Sequence, residues 1–240
     1  METQTSMDRI GEEMREPLRR YVRLVRDVAG DNAKALTLYG AIATEWFDPS
    51  LHFAQSVLVV DRVDLFVLRK LAQHGGRLGR DRISSPLIMT PRYIASSLDT
   101  FPLEFLEIHQ NHTTAFGADY FGELAFDDGH IRQQCERELK VAVLSLYRGL
   151  LGAAGRIDFM EAVVTGMGDA LTRTLYGLLW LSGVREARRP ADALTGVEGV
   201  VGRTLPGIRE ALDPQAEHDW HNLERLHTDV ITLKEFVDAW

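Results

Sequence analysis

The chain has 240 residues, a net charge of −8 and a pI of about 5.5. Its 45% hydrophobic and 26% charged residues suit a globular protein of one large domain or two small ones. This balance argues against non-specific nucleic-acid binding, which rests on phosphate neutralisation, and no apolar run reaches the about 18 residues of a membrane span. The single cysteine, Cys135, excludes an intramolecular disulfide and a cysteine-rich zinc site. The first twenty residues lack the basic-then-apolar pattern of a signal peptide. The expectation is a cytoplasmic protein with neither a nucleic acid nor a membrane as partner.

The first helix is predicted over about Met7 to Val28. Ile10, Met14, Leu18, Tyr21, Val22 and Val25 recur at intervals of three and four and make one apolar stripe. Arg15, Arg19, Arg20, Arg23 and Arg26 alternate with acids and read as a solvated face. Ala35 to Tyr39 is a short apolar strand running into Gly40. Ser56 to Val60 is a second, β-branched strand. A strand that ends in glycine, followed by a polar stretch and another strand, can build a phosphate site, because glycine lets the backbone approach a ligand closely.

A helix is predicted from Asp61 to about His74, stopped by Gly75 and Gly76. Ile83 to Met89 contains Pro86 and reads as a short or edge strand. Thr90-Pro91 has the form of an N-cap with proline at the first helical position, so a helix should run from about Pro91 to Ser97. Phe101 to His109 reads as a strand with Glu104 and Glu107 on opposite faces. After about Asp127 no strand is predicted. Helices are expected over about Gly129 to Ala153, Ile157 to Ser182, Pro190 to Leu212 (interrupted at Pro206) and Pro214 to Trp240. The overall expectation is α+β, with a small mixed-sheet domain over 1–127 and an antiparallel helical bundle over 128–240.

The run Leu38-Tyr-Gly-Ala41, followed by Ser56-Val-Leu-Val-Val60, resembles the nucleotidyltransferase superfamily, the DNA polymerase beta-like fold. The segments Pro86 to Pro91, Phe101 to Ile108 and Gln134 to Lys140 are similar to a bacterial nucleotidyltransferase-domain subgroup. In that family a Gly-Ser pair holds the triphosphate. Two carboxylates one residue apart on the second strand, with a third elsewhere, hold magnesium. The resemblance therefore points to Gly40 and Ala41 as the phosphate turn. It puts Ala54 and Ser56 at the carboxylate positions, where neither offers magnesium a charged oxygen. The implied site is degenerate.

Other residues complete the expectation. Arg132 and Glu136 are candidates to contact a phosphate or substrate, though Arg132, Glu136 and Lys140 also have the spacing of surface ion pairs. His218 and His221 could meet on one helix face, but no third ligand of matching spacing accompanies them or His109, His112, His130 and His227. Cys135 sits on an apolar stripe and reads as core. No catalytic residue and no metal ligand is assigned. The implied function is a degenerate nucleotidyltransferase-like protein without metal-dependent transfer, serving as a nucleotide-sensing, regulatory or interaction module, with a nucleotide, a protein partner or a second copy as partner. The alternative is an active nucleotidyltransferase that takes magnesium and ATP, with a site rearranged around Asp48, Glu104, Glu107 or Glu136.

Overall fold

The computed structural model describes residues 10–153, 156–186, 189–213, 215–216 and 219–240. The chain divides into two compact units: Met1–Leu98 with Glu107–Ala125, and Asp99–Leu106 with Phe126–Trp240.

The first unit is built on a four-stranded mixed sheet. Its strands are β1 (Ala33–Tyr39), β2 (Gln55–Val60), β3 (Leu87–Met89) and β4 (His112–Gly117), in the order β3-β2-β1-β4. Strand β1 pairs antiparallel with both β2 and β4, while β3 runs parallel to β2. Helix α1 (Glu12–Ala29) lays Leu18, Tyr21, Val22 and Val25 among Leu36, Leu38, Leu58 and Val60 of one sheet face. These are the stripe residues read from the sequence, and Pro17 lies inside the helix without ending it. The predicted start at Met7 lies outside the described residues.

The short elements follow their local chemistry. Asp64 caps α2 (Leu65–Ala72) by accepting the Phe66 amide at 2.8 Å. That helix stops at Ala72, before the predicted end at His74, and Gly75 and Gly76 do not stop it but open another short helix, α3 (Gly75–Arg80). Thr90 Oγ1 accepts the Tyr93 amide at 3.1 Å and Pro91 starts α4 (Pro91–Ser96) as expected. Strand β3 is an edge strand of three residues, directly after Pro86.

One expectation is overturned. Phe101 to His109 is not a strand: Pro102–Gln110 is helix α5. Leu103, Phe105, Leu106 and Ile108 are all buried, which strand alternation cannot achieve on one face, whereas Glu104, Glu107 and Gln110 recur every three residues as a narrow polar stripe. Glu104 and Glu107 thus stand on neighbouring turns, not on opposite faces. The fourth strand is His112–Gly117, whose threonines and single aromatic ring give little apolar signal.

In the second unit, α6 (Asp128–Ala153), α7 (Ile157–Leu181), α8 (Pro190–Val201), α9 (Pro206–Ala211) and α10 (Trp220–Asp238) enclose one apolar core with the N-terminal part of α5. Ile131, Cys135, Leu139, Leu175, Leu178, Val230 and Leu233 are fully buried in it. Burial pushes the Cys135 thiol up to about 12, in keeping with its place in this core. The segment predicted as one interrupted helix is two: Gly202, at φ 72°, ends α8, and Pro206 takes the first position of α9. The predicted start of the last helix, Pro214, lies outside the described residues. Among the described residues no helix is long and apolar enough to cross a membrane.

Helix α9 crosses α10 closely at Gly207, where a Cβ would overlap the backbone of Arg225 and Leu226. The Gly207 and Ile208 amides donate to the buried Asp229 carboxylate at 2.6 and 3.2 Å. Gly207→Ala must push the helices apart. It should lower stability by about 3 kcal/mol, read as a lower urea midpoint for the loss of helical circular dichroism.

Candidate functional site

The glycine turn after β1 is real, but its Gly40 amide and Ala41 carbonyl are already engaged. Gly40 to Ala43 forms a single 3-10 turn. Gly40 has φ 70°, and a Cβ there would stand 2.9 Å from Gln55 Oε1 and 3.8 Å from Glu107 Oε1. The Gly40 amide donates to the Asn111 carbonyl at 2.8 Å. The Ala41 carbonyl accepts the Thr44 amide at 2.9 Å and the Thr44 hydroxyl at 2.5 Å. A phosphate cradle needs backbone amides aimed at the ligand. The Gly40 amide is instead used to fix the turn against the loop between α5 and β4.

Ala54, in an isolated bridge to Ile83 just before β2, and Ser56 on β2 are both buried. Their surroundings are those of a core. Leu58 and Val60 continue the same side of the strand toward α1. The Ser56 hydroxyl is 2.9 Å from the Tyr21 hydroxyl of α1, and either can donate. Burial pushes the Tyr21 phenol up to about 12, against the opposing effect of its bond to Ser56.

Asp48 and Glu104 are absorbed locally. Asp48 accepts the Ser50 hydroxyl at 2.6 Å and its amide at 2.8 Å, and these bonds hold its carboxyl below the usual range. Glu104 accepts from Gln134 Nε2 at 2.8 Å and faces Arg173 at 3.9 Å. Glu107 stands beside Gly40. Among the described residues no group of three His, Cys, Asp or Glu converges as a metal site, and His218 lies outside them.

A pair that sequence reading missed joins β4 to the loop after it. His112 Nε2 lies 3.1 and 3.2 Å from the Asp119 oxygens, and its Nδ1 lies 3.0 Å from the His109 carbonyl. Both ring nitrogens face oxygen atoms that only accept. Burial alone would raise the Asp119 carboxyl, but the Phe121 amide, His112 and the Gly122 amide together bring it below its ordinary value. The signal available was the Asp-x-Phe-Gly turn at Asp119 to Gly122. The spacing of seven between His112 and Asp119 carries no information until the chain has turned back.

Arg132 and Glu136 belong to the second unit and are brought together. Their side chains pair at 3.3 Å across one turn of α6, and Lys140 pairs with the other Glu136 oxygen. The bond to Lys140 holds Glu136 below its usual range and Lys140 above its own. These three residues, with Asp99, His130 and Arg137, line a depression of about 620 Å³. Arg137 pairs with Glu138 at 3.2 Å, so the cations lining this depression are largely neutralised.

No family model matches the sequence, and no curated protein matches it. What the fold establishes is an α+β chain with a four-stranded mixed sheet and many helices.

The raised Tyr21 value has a definite sign. The folded protein favours the neutral phenol, so the stabilisation is complete below the ordinary 10.0 and is lost as pH rises through about 12. In a spectrophotometric titration the latest tyrosine phase should shrink by one residue in Tyr21→Phe. That variant also leaves Ser56 without its partner and should cost about 1 kcal/mol in urea unfolding.

Proposed function

We propose that this chain is a degenerate nucleotidyltransferase-like protein, a mixed-sheet unit followed by a helical bundle, that senses a nucleotide or engages a partner without metal-dependent transfer. One observation carries the reading. The positions where the resembling family places its paired carboxylates are Ala54 and Ser56, and here they are core: a methyl group, and a hydroxyl bonded to Tyr21. A hard divalent ion requires several oxygen ligands with water access. These residues do not fit magnesium.

The strand, left-handed glycine, second strand order around Gly40 supports the kinship. Arg132 and Glu136, at the depression on α6, support a polar contact with ligand or partner. The alternative of a rearranged enzyme draws on Glu107, whose carboxylate lies next to Gly40. It is weakened because Asp48, Glu104 and Glu136 each serve their own turn or ion pair.

The test is incubation with labelled ATP and magnesium, alongside calorimetric titration of ATP with and without the metal. The expected result is no transfer to protein or small molecule, and an ATP affinity that magnesium leaves unchanged. Magnesium-dependent transfer would overturn the proposal. Ala54→Asp with Ser56→Asp is expected to destabilise the sheet by about 3–5 kcal/mol instead of creating a metal site, since it places two carboxylates in the core. Chemical denaturation beside the calorimetry separates these outcomes.

A further inference from the structure

The start of α2 carries the most exposed apolar side chains of the first unit. Leu65 is 77% exposed, Phe66 62% and Val63 55%. Helix α2 buries Leu71 against the sheet side, and at 100° per residue the opposite face presents Leu65, Phe66 and Arg69, with Arg62 in the bend that leads into the helix. Lys70 Nζ lies 4.6 Å from the Phe66 ring centroid. Phe66 therefore carries a cation over its ring.

The charge on this segment departs from that of the chain. From Leu65 to Arg80 the sequence holds Arg69, Lys70, Arg77 and Arg80 and no acid, in a protein of net charge −8. Among the described residues, no ion pair uses Arg62, Arg69, Arg77 or Arg80. The nearest acids in sequence have other work. Asp61 faces Lys34 at 3.7 Å, Asp64 caps α2, and Asp81 pairs with Arg20 at 3.1 Å. Several other arginines are paired, as Arg225 is with Glu210 and Arg209 with Glu198.

We propose that this face of α2, with Val63, Leu65 and Phe66 projecting between unpaired arginines, docks the protein on an anionic lipid surface. The apolar tips enter the boundary of head groups and acyl chains, and the guanidinium groups meet lipid phosphates. Side chains this exposed protrude and so suit a broad, flat partner. Aliphatic tips such as Leu65 and Val63 give a nucleic acid nothing to stack on, which sets the lipid above a phosphate backbone. A peripheral contact of this kind requires no spanning helix.

The experiment is co-sedimentation of the full chain with phosphatidylcholine vesicles, with and without phosphatidylglycerol, at low and high salt. Binding is expected only with phosphatidylglycerol and should fall as salt rises. Arg62→Gln with Arg69→Gln should weaken it on the order of 30-fold, from the usual contribution of each cation near such a surface. Leu65→Ser with Phe66→Ser should abolish it, with unchanged circular dichroism because both positions are exposed. The proposal is overturned if phosphatidylglycerol vesicles do not bind, if pure phosphatidylcholine binds equally, or if either variant binds as wild type does. It is equally overturned if a single-stranded RNA oligonucleotide binds and loses affinity in the arginine variant but not in the Leu65, Phe66 variant.

Discussion

Strand β2 has a hydrogen-bonded neighbour on each side, and five of its six residues are buried. Every group on it must therefore be apolar or fully bonded, because an unpaired polar atom there costs on the order of 1–3 kcal/mol. Val57, Leu58, Val59 and Val60 meet the condition directly. Ser56 meets it through the Tyr21 hydroxyl, which α1 delivers on the same stripe that brings Leu18 and Val25 to the sheet. Residues at these positions are set by the needs of a core, and those needs exclude the ionised oxygens that a magnesium site would demand.

The same accounting of donors and acceptors explains the glycine turn. Gly40 reaches a left-handed conformation open to it at little cost, and its amide closes onto the Asn111 carbonyl. The turn thereby ties β1 to the chain that leads into β4, with which β1 pairs through Tyr39 and His112. Here glycine serves architecture: it absorbs a backbone strain and lets Gln55 lie close. In the second unit Asp229 does comparable work. Burial pushes its carboxyl up, while the amides of Gly207 and Ile208 at the start of α9 hold it down, and the pair of helices can approach only because residue 207 has no side chain.

The charge distribution separates two uses of arginine. On α6 and α10 Arg132, Arg137, Lys140, Arg225 and Lys234 are matched with neighbouring acids, as Lys140 is with Glu136 and Asp238. Such exposed pairs contribute little stability, about 0–1 kcal/mol each, but they leave a quiet surface. Along α2 and α3 Arg69, Arg77 and Arg80 enter no ion pair among the described residues, and α2 also carries the exposed Leu65 and Phe66. This contrast within an acidic chain is what gives the α2 face its chemical character.

The sequence by itself determined the elements whose signals are local. The α1 stripe, β1 and β2, the Asp64 and Thr90 caps, and the apolar period of α6, α7 and α10 all lie within a few residues of one another. Part of the candidate site was legible for the same reason: Gly40 marks a turn, Arg132 and Glu136 sit one helical turn apart, and the lack of acids at 54 and 56 is plain to read. Tertiary structure decided the rest. Whether Phe101 to His109 formed a strand or a helix depended on burial around almost the whole element, which period alone did not resolve. Strand β4 forms because β1 offers it an edge, not because its threonines demand it. The Tyr21–Ser56 bond spans 35 residues and the His112–Asp119 pair needs a chain reversal, so neither is written in local spacing. Pairing across a sheet and burial from both sides are properties of the assembled chain, and they fixed what each candidate residue could do.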